Sequence, residues 1–473
     1  MAAALPPFGW WPLAVVGVGL LAWAIDGQGW RARAKTGLAF GLGWMVPGFW
    51  WMTEFSAPGA LVSTLLVAML NAGAEALVTP GRWAALGLPA ALVGVEALRG
   101  AWPFGGVPVA LLAQTQSGSP LAQIARLGGS LTIAAAVAAG GVSLAGVVRR
   151  HWWRAGISAA VAVAVTVAGL AVAPPAPGAA LSVALVQGGG ERGTRAIDSS
   201  TKVVFDAHLA AAAGVPTGTV LTLLPEDVVK LESDVTSSSE GDQLAQLARA
   251  LDSTVVVGLV QDVSATRFRN FVKAWSPAGA PGPEYTKNQR VPYGEWIPFR
   301  SMIERVADVG AVPRDATVGH GPGVLDTDAG RLGVVISYEV FFPRRARDAV
   351  KAGGEVLLVP TNASSYSNAQ MPSLELGAAR LRAIETGRWV AQAAPTGFSA
   401  FVDPDGRVHQ HSDLGPRQVE TATIDRRTGL TLYTRLGDGP FVVGAVLLLG
   451  LAWLLTLADR RRAAPAGSTG QQT

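Results

Sequence analysis

The chain contains no cysteine. Disulfides, thiolate zinc sites and iron–sulfur clusters are therefore excluded, and so is any thiol nucleophile. Charge is also scarce. Asp, Glu, Lys and Arg make up 15% of the 473 residues against 49% hydrophobic residues, and the mean hydropathy is +0.33. That balance belongs to a membrane protein. The formal net charge of +4 is small and dispersed. No block of interleaved basic and aromatic residues marks a nucleic-acid interface, so nucleic acid is not expected as a partner. The paired histidines of HQH, His409 and His411, share one face of a strand pattern but lack a third metal ligand. The glycines at 188–190 do not lead into a phosphate-loop signature.

What is present is a set of long apolar runs, at about 9–25, 36–53, 59–78, 83–99, 120–147, 155–173 and 440–457. Most approach the ~20 residues needed to cross ~30 Å of hydrocarbon, which predicts a polytopic α-helical bundle of about seven spans. Nothing basic precedes the first run and no small-residue cleavage site precedes Asp26, so it reads as a span and not as a signal peptide. Arg31, Arg33 and Lys35, then Arg82, then Arg149, Arg150 and Arg154, then Arg460, Arg461 and Arg462 fall in alternate loops. Placing these loops in the cytoplasm puts the segment from about 180 to 437 on the extracytoplasmic side.

Residues 173–179 form a Pro-rich exit from the membrane, after which apolar runs become short. Strand patterns cover 181–187, 219–226, 253–260, 267–276, 331–338, 355–363, 388–394 and 399–406, with helical patterns at 202–213, 240–250 and 373–387. This alternation predicts a layered α/β domain with buried sheets. The expected organisation is transmembrane helices over 1–175, the α/β domain over 180–437, a last span over 438–462 and a disordered cytoplasmic tail over 463–473.

Three residues of that domain stand where acyl-transfer chemistry wants them. The strand of GRLGVVISYEVFFP delivers Ser337, Tyr338 and Glu339 into a sharp exit; Glu226 ends the apolar strand of TLLPE; Lys287 opens KNQRVPYGEWIPF. Amide-type acyl transfer needs a nucleophile, a proton-exchanging base and a donor for the oxyanion. Taken singly, Glu226 and Lys287 would be solvated surface charges and Ser337 a capping hydroxyl. Their joint order, with LLPE, KNQRVPYGEWIPF and SYE in succession, resembles the Glu-Lys-Cys signature of the nitrilase superfamily. With spans on both sides it is similar to the apolipoprotein N-acyltransferases, over nearly all of 181–408.

The resemblance implies a nitrilase-like α-β-β-α sandwich, Glu226 as general base, Lys287 as oxyanion donor, Ser337 at the nucleophile position, Glu295 supporting the lysine, and Tyr338 and Glu339 flanking the nucleophile. It implies a multi-pass protein of the inner or plasma membrane that takes an acyl chain from phospholipid and passes it to the diacylglyceryl-cysteine of an apolipoprotein, with no metal or organic cofactor. The family usually has eight spans, so this chain reads as one helix short or as starting downstream.

The chain departs from the family's motifs at several places. Serine replaces cysteine at 337, Ala363 stands at the Asp of TNDxWFG, Leu374 and Glu375 replace the Gln and His of PxQHL, and Gln392 and Pro395 replace the Arg and Asn of RxxNTG. So many departures point to natural divergence. A hydroxyl is far less acidic than a thiol and needs a base to take its proton during attack. The second reading is therefore a catalytically weak paralogue serving as a membrane scaffold or partner of a polyprenol-phosphate mannosyltransferase. A membrane-anchored amidase ranks third. On the helix of ARLRAIETGRWV, Arg380 and Glu385 are expected on an exposed face, and Glu375 is expected to be a helix-face carboxylate without a part in the chemistry.

Overall fold

The computed structural model describes residues 1–193, 200–305, 309–310 and 312–463. The tail expected beyond 463 lies outside the described residues. Each apolar run forms a helix: Pro12–Ile25, Trp30–Gly48, Ala57–Leu77, Ala84–Arg99, Ala125–Val148, Trp152–Ala171 and Gly439–Ala463. Among the described residues, three helical stretches are long and apolar enough to cross a membrane: Ala57–Leu77, Pro120–Val148 and Gly439–Ala463. The others fall short for local reasons. Pro12–Ile25 has 14 residues and Ala84–Arg99 has 16, which at ~1.5 Å per residue do not span ~30 Å. Trp30–Gly48 and Trp152–Ala171 carry arginine in the first turn, which shortens their apolar part. Small residues bring helices together: a Cβ on Gly41 would stand 2.6 Å from Cα of Ala68, so only glycine lets Trp30–Gly48 lie against Ala57–Leu77.

Beyond residue 176 the described strands are β1 (Pro177–Gln187), β2 (Leu221–Leu223), β3 (Val229–Leu231), β4 (Thr254–Ser264), β5 (Arg267–Trp275), β6 (Pro281–Thr286), β7 (Asp315–Ala316), β8 (Val324–Thr327), β9 (Gly330–Val334), β10 (Val356–Pro360), β11 (Val390–Ala393), β12 (Ala400–Val402), β13 (Val408–His411) and β14 (Gln418–Arg427). They form two sheets. One runs β14-β1-β2-β4-β5-β6, with β3 on β4 and β7 on β5; the other runs β13-β12-β11-β10-β9-β8. In each sheet the middle strands are parallel (β1, β2 and β4; β9, β10 and β11) and the other strands of the two main paths antiparallel, while the short β3 and β7 pair in parallel with β4 and β5.

Period-2 alternation assigns the faces. Val183 and Leu185 of β1 point inward with Leu223, Val256, Val334, Leu358 and Phe401, so one core lies between the two sheets. Ala184 and Val186 point the other way, with Val255 and Val257, against Phe205, Ala211, Leu244 and Ala248 of the helices Thr201–Ala212 and Ser239–Leu251. On the far side of the second sheet, Leu357, Val359 and Val390 pack against Ala346, Leu374, Ala378 and Leu381 of the helices Pro343–Lys351 and Gln370–Thr386. The layers are α-β-β-α, the sandwich that the resemblance implies.

The outer core of the second sheet is continuous with that of the apolar helices, since Leu5, Trp44, Val109 and Ile133 belong to the same cluster. This corrects one expectation. Glu385 is not on an exposed face; it is fully buried, taking hydrogen bonds from Ser130 at 2.7 Å and Arg382 at 2.9 Å. Arg380 is half-buried and donates to the Gly406 carbonyl at 2.7 Å. Gln370–Thr386 is covered by the sheet on one side and by Ala125–Val148 on the other, so it has no wide solvent face.

Candidate active site

Strand register alone brings the first two site residues together. β9 and β10 run parallel with Val334 opposite Leu358. Three residues beyond each lie Ser337 and Thr361, whose hydroxyl oxygens are 3.3 Å apart. Both follow the carboxyl ends of parallel strands, the edge where layered α/β folds gather their reactive groups. The chain turns sharply there: Ser337 has a φ of 46°, in the left-handed region that a non-glycine residue enters at a cost and that marks functional sites.

Glu339 holds this turn. Its Oε2 accepts from the amide of Ile336 at 2.9 Å, and its Oε1 accepts from Tyr285 Oη at 2.9 Å and from the amides of Asn288 and Gln289 at 2.8 and 3.0 Å. One carboxylate thus ties the exit of β9 to the segment that begins at Lys287. Tyr338 packs on Phe341 and Phe342 and donates to the Gly106 carbonyl at 3.2 Å. It fastens the site to the loop before the apolar span.

Glu226 comes from the other sheet, just past β2, and its amide reaches the Thr361 carbonyl at 3.4 Å. β4 makes room for it: a Cβ on Gly258 would lie 2.5 Å from Cα of Glu226. Lys287, just past β6, is pinned by its amide on the Asn270 carbonyl at 2.8 Å. Its ammonium donates to Glu226 Oε1 at 2.8 Å and Glu295 Oε1 at 2.7 Å. The Asn270 side-chain amide bridges the same two oxygens at 2.7 and 2.9 Å. Glu295 is anchored from behind by the amide of Val291 at 2.8 Å. An ammonium carries three donors. Two are spent on carboxylates, which leaves one for a developing oxyanion.

The electrostatics follow from the burial. Glu226, Lys287 and Ser337 are 4%, 2% and 7% exposed. Burial works against the charge of Lys287, but Glu226 and Glu295 outweigh it and hold the ammonium well above the ordinary lysine range. Burial pushes Glu226 up to about 8 against the pull of Lys287, and the nearby carboxylates of Asp227 and Glu295 push the same way. The two directions are compatible: one cation shared among several carboxylates keeps its proton and leaves one carboxyl protonated as well.

The structure thus brings Glu226, Lys287 and Glu295 into one hydrogen-bonded cluster and ties Glu339 to the segment after Lys287; Ser337 reaches the cluster only through Thr361, whose carbonyl accepts from the Glu226 amide. It also shows two residues that sequence reasoning passed over, Asn270 and Thr361, and gives Glu375 a place that reasoning did not. Asn270 is, with Lys273, one of two polar side chains in the buried half of β5, a signal legible in RFRNFVKAW. Thr361 is found only through the β9–β10 register. Glu375 corrects an expectation: it is 2% exposed and its Oε1 lies 2.8 Å from Thr361 Oγ1 and 3.5 Å from Ser337 Oγ. Burial pushes it up to about 7, against the hydrogen bond of Thr361 and the charge of Lys287.

The aromatic residues divide in two. Trp275, Phe341 and Phe342 are core. Tyr293, Trp296 and Phe299 meet Phe104 edge-on in a cluster whose outer rings reach solvent. His409 hydrogen-bonds Asp403 at 2.7 Å, and among the described residues no group of His, Asp and Glu is placed to hold a metal ion.

Residues 1–143 match the family described as the apolipoprotein N-acyltransferase N-terminal domain, and residues 182–431 match the carbon-nitrogen hydrolase family. The chain is 29% identical to the apolipoprotein N-acyltransferase of Mycolicibacterium smegmatis, over 95% of this chain and 82% of that protein. It is 32% identical to that of Nostoc sp., over 77% of this chain and 75% of the relative. Among solved structures, an amidase from Nesterenkonia sp. is similar at 19% identity with a TM-score of 0.41, covering 56% of this chain and 97% of its own. On the family match and the relatives together, this chain belongs to the apolipoprotein N-acyltransferase family, with a carbon-nitrogen hydrolase domain.

Proposed function

We propose that the protein is an acyltransferase that takes an acyl chain from a membrane phospholipid onto Ser337 and passes it to the α-amine of a diacylglyceryl-cysteine at the start of an apolipoprotein. The observation that carries this reading is the sealed cluster of Glu226, Lys287, Asn270 and Glu295 beside a serine held at a left-handed strand exit. Lys287 stabilises the oxyanion of both tetrahedral intermediates, Glu226 exchanges protons with the leaving alkoxide and the incoming amine, and Glu295 and Asn270 orient the lysine. Tyr338 and Glu339 fix the turn that presents Ser337.

In this reading all seven apolar helices cross the inner or plasma membrane, the shorter ones within the bundle, and residues 180–437 lie on the extracytoplasmic side with the acyl donor and the lipoprotein. The charge asymmetry of the loops supports it. No observation favours the scaffold reading or a polyprenol-phosphate mannosyltransferase as partner. The deciding experiment is complementation: the chain should restore triacylated lipoprotein in cells lacking the resident enzyme, and Ser337→Ala should not. Failure of both to restore it under verified expression would remove the proposal.

A further inference from the structure

Among the described residues, Ser337 and Glu226 share no hydrogen bond. Glu226 Oε1 is already committed to Lys287 and Asn270. The hydroxyl of Ser337 meets Thr361 at 3.3 Å and Glu375 Oε1 at 3.5 Å instead. Glu375 sits on the second turn of the helix Gln370–Thr386, inside the layer that covers the second sheet. No cation salt-bridges it among the described residues; Thr361 donates to Oε1 at 2.8 Å, and Oε2 is buried without a hydrogen-bond partner. Packing alone does not explain a carboxyl group sealed in such a place, because burying it unpaired is costly. The two unusual residues are in contact: Ser337 and Glu375 both stand where the family's motif has other residue types.

We propose that Glu375 is a catalytic base dedicated to Ser337, a role that rests on the acyltransferase reading above. A thiol near pKa ~8.5 ionises partly unaided, whereas a serine hydroxyl does not and needs an acceptor as it attacks. In the first half-reaction the Ser337 proton passes to Glu375 as Oγ bonds to the donor carbonyl carbon. The ester C–O bond then breaks, and the lysophospholipid oxygen takes a proton from Glu226. In the second, the acceptor amine bonds to the same carbonyl carbon and yields a proton to Glu226. The C–Oγ bond breaks and Glu375 returns its proton to Ser337. Both carboxyl groups end as they began. The hydroxyl–carboxylate separation in the free protein is long, as such contacts commonly are before substrate closes the site. Thr361 positions Glu375 by holding Oε1. The titratable groups that face Glu375 are Lys287 and Tyr366. Lys287 favours its ionised form, and Tyr366 is held in the neutral form by burial and by the surrounding carboxylates.

The test uses the full-length protein in nanodiscs of phosphatidylethanolamine and phosphatidylglycerol without acceptor, with intact-mass detection of the acyl-enzyme over time. Glu375→Gln should slow ester formation by about 100-fold or more, the usual weight of a general base. On a Ser337→Cys background the same substitution should cost less than about tenfold, because the thiolate supplies its own ionisation. A rate for Glu375→Gln within about threefold of the parent overturns the proposal, and so does an equal loss in both backgrounds, which would mean a structural role. If the parent chain itself forms no ester, the acyltransferase reading falls and takes the proposal with it. An ester in the parent combined with an indifferent Glu375→Gln removes only the base.

Discussion

The ammonium of Lys287 is held 2.8 Å from Oε1 of Glu226, with both side chains sealed from solvent. Removing the cation strands a cluster of carboxylates. Lys287→Met should lose an oxyanion donor, about 3–4 kcal/mol of transition-state stabilisation, and should lower fold stability by about 3–5 kcal/mol through the unpaired buried charge. Glu226→Gln should be near-inactive with a smaller stability loss, because the amide still accepts from Lys287. Glu295→Gln should be milder than either, since Glu295 is the more exposed of the two carboxylates. Acyl-ester rates and melting temperatures measured on the same preparations separate the two effects. Full activity in Glu226→Gln would send the search for the proton carrier elsewhere.

Asn270 bridges Glu226 and Glu295 with one amide nitrogen, at 2.7 and 2.9 Å. Asn270→Asp replaces both donors by acceptors in the same volume and adds a negative charge. It should abolish activity and destabilise the fold. Asn270→Ala should cost less, about 1–3 kcal/mol of stability, since it only leaves the carboxylates short of a donor. The ranking of these two variants by thermal melt checks that the site's problem is charge and not volume.

The layers of the sandwich were legible because strands buried on both faces read as short apolar runs. β1, β4 and β5 fall close to their expected positions, and so do the helices Thr201–Ala212 and Ser239–Leu251. β14 is not legible: most of its residues are half-buried, with Ile424 its buried exception, and its pairing with β1 is set by a partner more than 230 residues away. The same limit applies to the site. Glu226, Lys287, Ser337 and Glu295 each lie in a motif of neighbouring residues. Thr361 reaches Ser337 only through strand register, and Glu375 only through the way its helix is covered on two sides. A reading along the chain assigns such a helix a solvent face, which is why Glu375 and Glu385 looked unremarkable there.

Glu339 accepts four hydrogen bonds through two oxygens. In Glu339→Gln the amide nitrogen must face donors on one side, leaving at least one main-chain N–H unsatisfied. The expected cost is about 2–3 kcal/mol. The ester-forming rate should fall as well, because the same residue sets both the turn at Ser337 and the segment after Lys287. Tyr285→Phe removes only one of the four and should lower stability by about 1 kcal/mol with little change in rate. Equal losses in the two variants would contradict this division.

The loop charges also make a prediction about sidedness. With Arg31, Arg33, Arg82, Arg149, Arg150 and the Arg460–Arg462 run held in the cytoplasm, reporter fusions near Gly282 and after Arg462 should report opposite compartments. Moving the balance should weaken the orientation: replacing Arg460, Arg461 and Arg462 with Gln should yield a mixed signal from the carboxyl-terminal reporter. If both reporters give a cytoplasmic signal, residues 180–437 do not face the lipoprotein side.

The two buried carboxyl groups set the pH dependence. Burial pushes Glu375 up to about 7, and burial also pushes Glu226 up to about 8. As a base for Ser337, Glu375 must be ionised, so ester formation should rise as pH increases through about 7. As the acid that protonates the leaving oxygen, Glu226 must hold its proton, so the rate should fall as pH increases through about 8. The result is a narrow bell whose limbs belong to the interacting cluster as a whole. Single-turnover ester rates across this range provide the check. Glu375→Gln should flatten the acid limb of the residual rate and leave the alkaline limb in place. A rate that keeps climbing beyond pH 8 would mean that the leaving oxygen takes its proton from a group other than Glu226.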